Sequence, residues 1–317
     1  MGRGTRAAVG QALLAAGLAL LAWFLYTNTA ENLAARRIAS GFAFLLREAG
    51  FEIGETGGLA YSAADSYLRA LAIGLANTFR VAVLGVVLAT VLGVAVGLAR
   101  LAPNWLLARL AGAYVEVVRN VPLLVQLFFW YAVIAESLPP PAEALEPLPG
   151  WFLSNRGIFF PLPGDVPELS GFNFTGGAAL SPEFAALLVG LVTYTAGFIA
   201  EIVRAGVLSV PAGQRDAARS LGLSPRDTTR HVILPQALRL IVPPLTSQYL
   251  NLTKNSSLAV AIGYPDLVSI ANTTINQTGQ ALEGVALIMA VYLTISLAIS
   301  GAMNAYNRRV ALRGVRR

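Results

Sequence analysis

Long apolar segments constrain this chain more than any other feature of its sequence. A helix needs about 20 predominantly apolar residues to cross the hydrocarbon core of a bilayer, and six segments reach that length. Only 13% of the 317 residues are charged and 56% are hydrophobic, whereas a soluble domain carries about a quarter charged residues. This composition excludes a disordered chain and a disulfide scaffold, and it disfavours an ordinary cytosolic enzyme. The predicted spans are 7–26, 71–98, 111–135, 183–203, 240–262 and 282–302.

The first of these segments has two interpretations. Arg3 and Arg6 precede it, and residues 28–30 follow it with the character of a signal-peptide cleavage region. Its apolar part is longer than the roughly 7–15 residues of a signal-peptide core, so we favour a retained span over a cleaved signal. The sequence therefore predicts an all-α membrane protein with six transmembrane helices, of which one is an N-terminal addition to a core of five.

The predicted spans also divide the chain into parts. Residues 1–70 comprise the first span and a mixed, charged segment, and residues 71–305 form the five-helix core. The core contains two long connections, 136–182 and 205–238, and a basic tail follows at 306–317.

Basic residues are unevenly distributed between the two sides of the predicted membrane. Six spans place both termini on one side, where fifteen of the 23 basic residues lie. The opposite connection, 136–182, is rich in proline and carries only Arg156 against five acidic residues. The positive-inside rule therefore predicts cytoplasmic termini and accounts for the net charge of +6 without nucleic acid. We expect 136–182 to be a periplasmic loop or small cap, which either contacts a partner or only covers the outer face.

The cytoplasmic connection 205–238 is longer than a simple reversal of direction requires. Residues 214–221 offer one or two helical turns, and Gly222 fits a helix stop with positive φ. Ser224 and Pro225 fit the N-cap and first turn of a second short helix, which we expect to end before Pro235. We interpret this segment as a docking element for a cytosolic partner, and a solvated loop with incidental helix is the alternative.

The same connection carries a recognisable pattern. Asp216-Ala217-Ala218 is followed after three residues by Gly222, and after nine more by Val232-Ile233-Leu234-Pro235. This pattern resembles the EAA loop of ABC-importer permeases, with Asp in place of Glu and Val in place of Ile. Other stretches resemble the polar amino-acid permeases of the histidine, glutamate, glutamine and aspartate type. The resemblance covers about residues 70–305 and is closest to the larger general L-amino-acid permease subunit. These stretches are 77–78, 116–126, 194–206, 234–237 and 254–258.

The resemblance implies a function and a set of partners. The chain would be the permease subunit of an ATP-driven amino-acid importer in the bacterial inner membrane, and it would form half of the pathway. Its loop helix would dock on a cytosolic ABC ATPase dimer, which binds ATP and Mg²⁺, while this chain needs no cofactor. A second permease subunit, a related chain or a second copy, would complete the pathway, and a periplasmic amino-acid-binding protein would deliver substrate. The implied coupling residues are Gln214, Arg215, Asp216, Ala217, Ala218, Arg219, Leu221, Gly222 and Pro235.

Polar residues are concentrated in the fifth span, which we expect Pro243-Pro244 to interrupt. Gln248, Asn251 and Asn255 share one helical face, and Lys254 is the only lysine of the chain. A charged group facing lipid is costly, so Lys254 should point inward. These side chains either line a path for a zwitterionic substrate or form hydrogen bonds between permease subunits. The candidate pathway residues are Asn77, Gln126, Tyr194, Thr195, Gln248, Asn251, Lys254, Asn255 and Ser256.

A second polar group lies at the cytoplasmic ends of the third and fourth spans. In the third span, Pro122 removes a backbone donor and leaves carbonyls free for side chains or water. In the fourth span, Glu201 and Arg204 have the spacing of an intrahelical ion pair. We favour a helix-end network, with Arg119 reaching toward the interface, over direct substrate contact. The predicted network comprises Glu116, Arg119, Asn120, Glu201 and Arg204.

Two other functions are less consistent with the sequence. A membrane-embedded enzyme needs convergent catalytic groups, but the chain has no Cys, a single His at 231, and neither an HExxH nor a GxSxG motif. The same counts predict no metal site. A stand-alone ion-coupled transporter usually contains internal repeats, and the two halves of this sequence show none.

Overall fold

The computed structural model describes residues 3–35 and 40–310, and helices account for most of them. Side chains fix where several helices begin, since Ser66 accepts a hydrogen bond from the Arg69 amide and Asn104 accepts two. The helices are α1 (Arg3–Ala35), α2 (Tyr67–Ala99), α3 (Trp105–Asn120), α4 (Leu123–Ala135), α5 (Pro182–Leu208), α6 (Ala212–Ser220), α7 (Pro225–Asp227), α8 (Leu234–Asn255), α9 (Leu267–Thr278) and α10 (Ala281–Val310). The strands are β1 (Leu145–Leu148), β2 (Trp151–Ser154), β3 (Gly157–Phe160), β4 (Glu168–Ser170), β5 (Asn173–Thr175) and β6 (Ala178–Leu180).

Helices long and apolar enough to cross a membrane number four in the described residues. They contain Val9–Thr29, Tyr67–Ala99, Pro182–Leu208 and Ala281–Arg308, and they coincide with the predicted first, second, fourth and sixth spans. The number rises to six if each of two bent helix pairs makes one span. The chain is therefore a mostly helical, multi-pass membrane protein.

The third predicted span consists of two helices with a sharp bend between them. α3 and α4 meet at an angle of 106° around Val121 and Pro122. The side-chain amide of Gln126 donates hydrogen bonds to the carbonyls of Val118 (2.8 Å) and Val121 (3.0 Å). Backbone groups exposed by the bend are thus satisfied internally, as a membrane requires, and the expectation of side-chain bonds to free carbonyls beside Pro122 is confirmed.

The fifth predicted span is followed by a bend and is not interrupted at its prolines. α8 continues through Pro243 and Pro244, so the expected interruption there is wrong. Both proline side chains are exposed, so the rings do not disturb the packed face of the helix. The helix instead tightens into a 3₁₀ turn at Ser256–Ile262 and stops at Gly263, whose φ is 81°. Beyond this break, α9 departs at 53°.

α2 and α5 pack against each other through small residues. A Cβ atom built on Gly93 would lie 2.6 Å from the Cβ of Ile199, and one on Gly97 would lie 2.8 Å from the Ala200 carbonyl oxygen. Glycine at these two positions, four residues apart on one helix face, lets the two backbones approach closely.

Residues 145–180, hereafter the β-cap, correct the all-α prediction. β1, β2, β3 and β6 form an antiparallel sheet in that order, and β4 pairs with β5 in a hairpin. The rings of Phe152 and Phe174 stack at 4.5 Å and join the sheet to the hairpin. The small cap expected at 136–182 is therefore built from strands.

Residues 40–66, hereafter the strap, pack across one end of the helices on the side of the β-cap. The Glu55 carboxylate pairs with Arg80 of α2 at 3.1 Å and accepts a hydrogen bond from the Ser181 hydroxyl at the start of α5. The main-chain amide of Gly41 donates to Glu283 of α10 at 2.6 Å. These contacts tie the strap to three helices.

Candidate functional site

The connection between α5 and α8 displays a short helix. α6 follows Pro211 and ends in a hydrogen-bonded stop, in which the Leu223 amide donates to the Ala218 carbonyl (3.1 Å) and the Gly222 amide to the Arg219 carbonyl (2.9 Å). Gly222 has a φ of 74°, a conformation that side chains with a Cβ rarely adopt. The helical turns, the stop at Gly222 and its positive φ are therefore confirmed.

Most of α6 is exposed. Ala218 alone among its residues is buried, at 3%, where the helix meets the π-helical turn Thr228–Ile233, and Leu221 just after the helix is 81% exposed. Arg215 donates to the Val207 carbonyl at 3.2 Å and so joins α6 to the end of α5. An exposed leucine beside an exposed helix presents a surface suited to another protein. The remaining predicted residues of this surface, all exposed, are Gln214, Asp216, Ala217 and Arg219.

The second half of the connection differs from the prediction. Ser224 caps α7 as expected, by accepting a hydrogen bond from the Asp227 amide at 3.2 Å. The following helix does not end before Pro235, because the π turn Thr228–Ile233 leads directly into α8. A π turn is wider than an α turn, so it makes room for a proline ring that would otherwise crowd the preceding turn. After the turn at Gly222, the chain is helical without a break from Pro225 through the π turn and into α8.

A charged triad joins α2 to α5 at the ends nearest this connection. Arg204 Nη2 lies 2.6 Å from Glu201 Oε1, so the predicted pair is present. Arg100 also pairs with Glu201. Sequence reasoning missed this second partner, since Arg100 lies 101 residues away and no local spacing connects them.

Beside the triad is a cavity of about 460 Å³ between α2, α3 and α5. The Arg119 guanidinium lies over the Phe198 ring, 5.0 Å from its centroid. The predicted network is thus brought to one place, except that Arg204 is absent from the lining. The residues around the cavity are Arg100, Gly112, Val115, Glu116, Arg119, Asn120, Phe198 and Glu201.

The candidate pathway residues outside α8 do not converge on one surface. Asn77 is fully buried and its amide donates to the carbonyls of Glu55 (2.8 Å) and Pro265 (3.0 Å). Gln126 binds the α3–α4 bend, as described above. Tyr194 packs on Phe198 with ring centroids 5.0 Å apart, and Thr195 is buried in α5. Asn77 and Gln126 therefore hold backbone breaks in place.

The α8 residues lie together, but their orientation differs from the prediction. Asn251 and Lys254 are exposed, and Gln248 and Asn255 are half-buried. Ser256 is buried and donates to the Thr253 carbonyl at 2.8 Å. Lys254 does not point into the packed helices of this chain, because α8 packs on its neighbours through the opposite face; that it avoids lipid stays a prediction. Within residues 3–35 and 40–310, Lys254 makes no ion pair.

No group of three His, Cys, Asp or Glu side chains in the described part of the chain is arranged to hold a metal ion. The sites consist of an exposed loop helix, a charged cavity and a polar helix face.

Comparisons with known proteins are consistent with this architecture. The family model of the binding-protein-dependent transport system inner membrane component matches residues 85–312. The putative amino-acid ABC transporter permease protein YhdX of Escherichia coli strain K12 is 45% identical, over 97% of this chain and 94% of its own length. The general L-amino acid transport system permease protein AapQ of Rhizobium johnstonii is 42% identical, over 92% of this chain and 88% of its own.

Solved structures of ABC transporters are also similar to this chain. The chain is similar to one in a crystal structure of an amino acid ABC transporter with histidines, with a TM-score of 0.57 and 27% identity over 77% of this chain and 95% of that one. An inward-facing MetNI methionine ABC transporter has the same fold, with a TM-score of 0.55 and 20% identity over 77% and 98%. From the family match over most of its length, this chain belongs to the inner membrane components of binding-protein-dependent transport systems.

Proposed function

We propose that this chain is the transmembrane permease subunit of an ATP-driven bacterial amino-acid importer, and that α6 couples it to a cytosolic ATPase. The observation that carries the proposal is α6 itself, a helix exposed on nearly every side, with Leu221 beside it 81% exposed. The amino-acid class is supported by the names of the relatives, and the family match does not favour a stand-alone ion-coupled transporter or an enzyme.

The connections of α6 support a mechanical role. Arg215 ties the helix to the end of α5, and Ala218 packs it on the π turn that continues into α8. A displacement of α6 by an ATPase subunit therefore moves the adjacent ends of two long helices. Closure of an ATPase dimer around ATP and Mg²⁺ would open the path to one side, and hydrolysis would reset it.

The proposal also includes a membrane topology and a set of partners. Counting each bent pair as one span gives six spans. This number and the positive-inside rule support a topology in a bacterial inner membrane with both termini and α6 in the cytoplasm and the strap and β-cap in the periplasm. A second permease subunit, related or identical, would face the polar side of α8, where Asn251 and Lys254 are exposed. A periplasmic amino-acid-binding protein would deliver the substrate, and α8 residues would line half of its path.

Substitution of Gly222 tests the coupling assignment. Neither Gly222 nor Gly213 has an atom within 4 Å of a built Cβ, but Gly222 alone has a positive φ. Gly222→Asp should therefore distort the end of α6 and abolish ATP-driven uptake in proteoliposomes, whereas Gly213→Ala on the same helix should transport normally. Both variants should insert into the membrane at wild-type levels. Normal ATP-driven uptake by Gly222→Asp would contradict the proposal.

A further inference from the structure

The charged cavity between α2, α3 and α5 contains groups that coupling through α6 does not use. Its volume of about 460 Å³ lies within the range of roughly 300–1,000 Å³ typical of small-molecule sites. Its lining includes two cations, Arg100 and Arg119, and two anions, Glu116 and Glu201. The cavity is therefore polar and has no net charge.

The two acidic residues of the lining differ in their ion pairs. Glu201 is engaged on both oxygens, by Arg100 and by Arg204 at 2.6 Å. Glu116 has the same i, i+3 spacing to Arg119, yet these two form no ion pair with each other or with any other residue of 3–35 and 40–310. One carboxylate and one guanidinium thus remain available at the same cavity.

Aromatic packing holds the free cation in place. The Arg119 guanidinium lies over the Phe198 ring at 5.0 Å, an arrangement that stabilises a cation without neutralising it. Asn120 follows at the end of α3 and makes no side-chain hydrogen bond within the described residues. The bend after α3 is fixed by Gln126, so this end of the helix is anchored.

A ligand with a single charge would pair with either Glu116 or Arg119 and would be repelled by the other. We propose that the cavity binds a zwitterion, with its acidic group at Arg119 and Asn120 and its ammonium group at Glu116. A free amino acid carries these two groups, and so does an aminophospholipid headgroup. This inference rests on the proposed function, because the proposed topology puts the cavity beside the cytoplasmic end of α5. The cavity is separate from the polar face of α8.

Equilibrium binding tests the site directly. The probe is a radiolabelled mixture of L-amino acids, added without binding protein to the permease–ATPase complex in nanodiscs of phosphatidylglycerol, which has no amino group. Glu116→Gln and Arg119→Gln should each weaken binding by about tenfold or more, because each removes a charge-assisted contact. Arg109→Gln is the matched control, because Arg109 is an exposed arginine of the same helix outside the cavity lining. Acetate and methylammonium at equal concentration should not displace the probe.

A second lipid distinguishes the two sources of the zwitterion. Binding that persists in phosphatidylethanolamine nanodiscs assigns the site to a free amino acid, and binding that this lipid abolishes assigns it to the headgroup. Absence of binding in both lipids overturns the proposal. So does binding that Asn251→Ala weakens while Glu116→Gln and Arg119→Gln leave it unchanged, since the probe would then occupy the α8 face.

Uptake by the same wild-type preparation separates this inference from the proposed function. Wild-type complex that takes up amino acids with ATP and binding protein, but shows no binding dependent on Glu116 and Arg119, refutes the cavity site alone. Wild-type complex that fails to transport any amino acid refutes the proposed function.

Discussion

Gly93 and Gly97 set the separation of α2 and α5, so one added methyl group tests that packing. In Gly93→Ala the new Cβ would lie 2.6 Å from the Ile199 Cβ and 3.0 Å from the Ala196 carbonyl oxygen. Carbon atoms in ordinary contact are about 3.5–4.0 Å apart. Neither neighbouring atom can rotate away, because one is a Cβ and the other belongs to the backbone. The two helices must therefore separate.

The expected magnitude combines two opposing effects. Replacing a helical glycine by alanine ordinarily stabilises by about 0.5–1 kcal/mol, and overpacking costs about 1–3 kcal/mol. The net loss for Gly93→Ala should be about 1 kcal/mol. Gly301 in α10 has no atom within 4 Å of a built Cβ, so Gly301→Ala should gain about 0.5–1 kcal/mol. The difference in unfolding free energy between the two variants is then about 2 kcal/mol.

A double variant sharpens the test. Gly97→Ala clashes in the same interface, at 2.8 Å from the Ala200 carbonyl oxygen. Once the first methyl group has separated the helices, the second meets less resistance, so Gly93→Ala/Gly97→Ala should cost less than the sum of the single changes.

Thermal unfolding of the purified variants in one detergent, at one scan rate, measures these differences. The apparent Tm of Gly93→Ala should fall about 4 °C or more below that of Gly301→Ala. Equal or higher stability of Gly93→Ala would refute the reasoning, because it would mean that the glycines do not limit the approach of α2 and α5.

Three further changes probe the polar contacts. Gln126→Leu removes the donor to two carbonyls at the α3–α4 bend and should lower stability by about 1–3 kcal/mol; an unchanged Tm would show that the carbonyls find other partners. Glu201→Gln weakens the contacts to both arginines and should cost about 2 kcal/mol, and the loss should shrink in high salt if the interaction is ionic. Ser181→Ala removes the cap of α5 and the donor to Glu55, so it should cost about 1 kcal/mol; faster proteolysis within 40–66 should accompany it, and wild-type protease resistance would argue against a role in holding the strap.

The α6 region was predictable because its signals are local. The helix ends through hydrogen bonds from the Gly222 amide to a carbonyl three positions earlier and from the Leu223 amide to a carbonyl five positions earlier. Ser224 caps the next turn by accepting a bond from the amide three positions later. Such contacts depend on short stretches of sequence, which carry turn and cap preferences directly. Only the junction at Pro235 was misjudged, because a π turn has no comparable signal.

The strands of the β-cap were not predicted, because the contacts that stabilise them are not local. Its strands are three or four residues long, and prolines surround them. Phe174 of the hairpin stacks on Phe152 and packs on Phe159 of the sheet, and no periodic pattern relates these residues. For the same reason the sequence revealed the Glu201–Arg204 pair, at helical spacing, and not its partner Arg100.

Prolines were poor guides to the bends. Pro122 marks a bend of 106°, whereas Pro243 and Pro244 lie within an unbroken helix. The difference lies in tertiary packing, since the α3–α4 bend is held by Gln126 and the α8 prolines have exposed rings. A proline in the sequence indicates only that one backbone hydrogen-bond donor is missing. Whether the helix bends there depends on the packing around it.

The strap has a consequence for the order in which the protein is made. It precedes α2 in the chain, yet Glu55 binds Ser181 and Gly41 binds Glu283, residues that leave the ribosome 126 and 242 positions later. The pair between Glu55 and Arg80 of α2 can form early. Attachment of the strap to α5 and α10 must wait until most of the membrane domain is synthesised, so it is among the last steps of folding. A nascent chain arrested before α10 should expose 40–66 to an added protease, and completion of the chain should protect it.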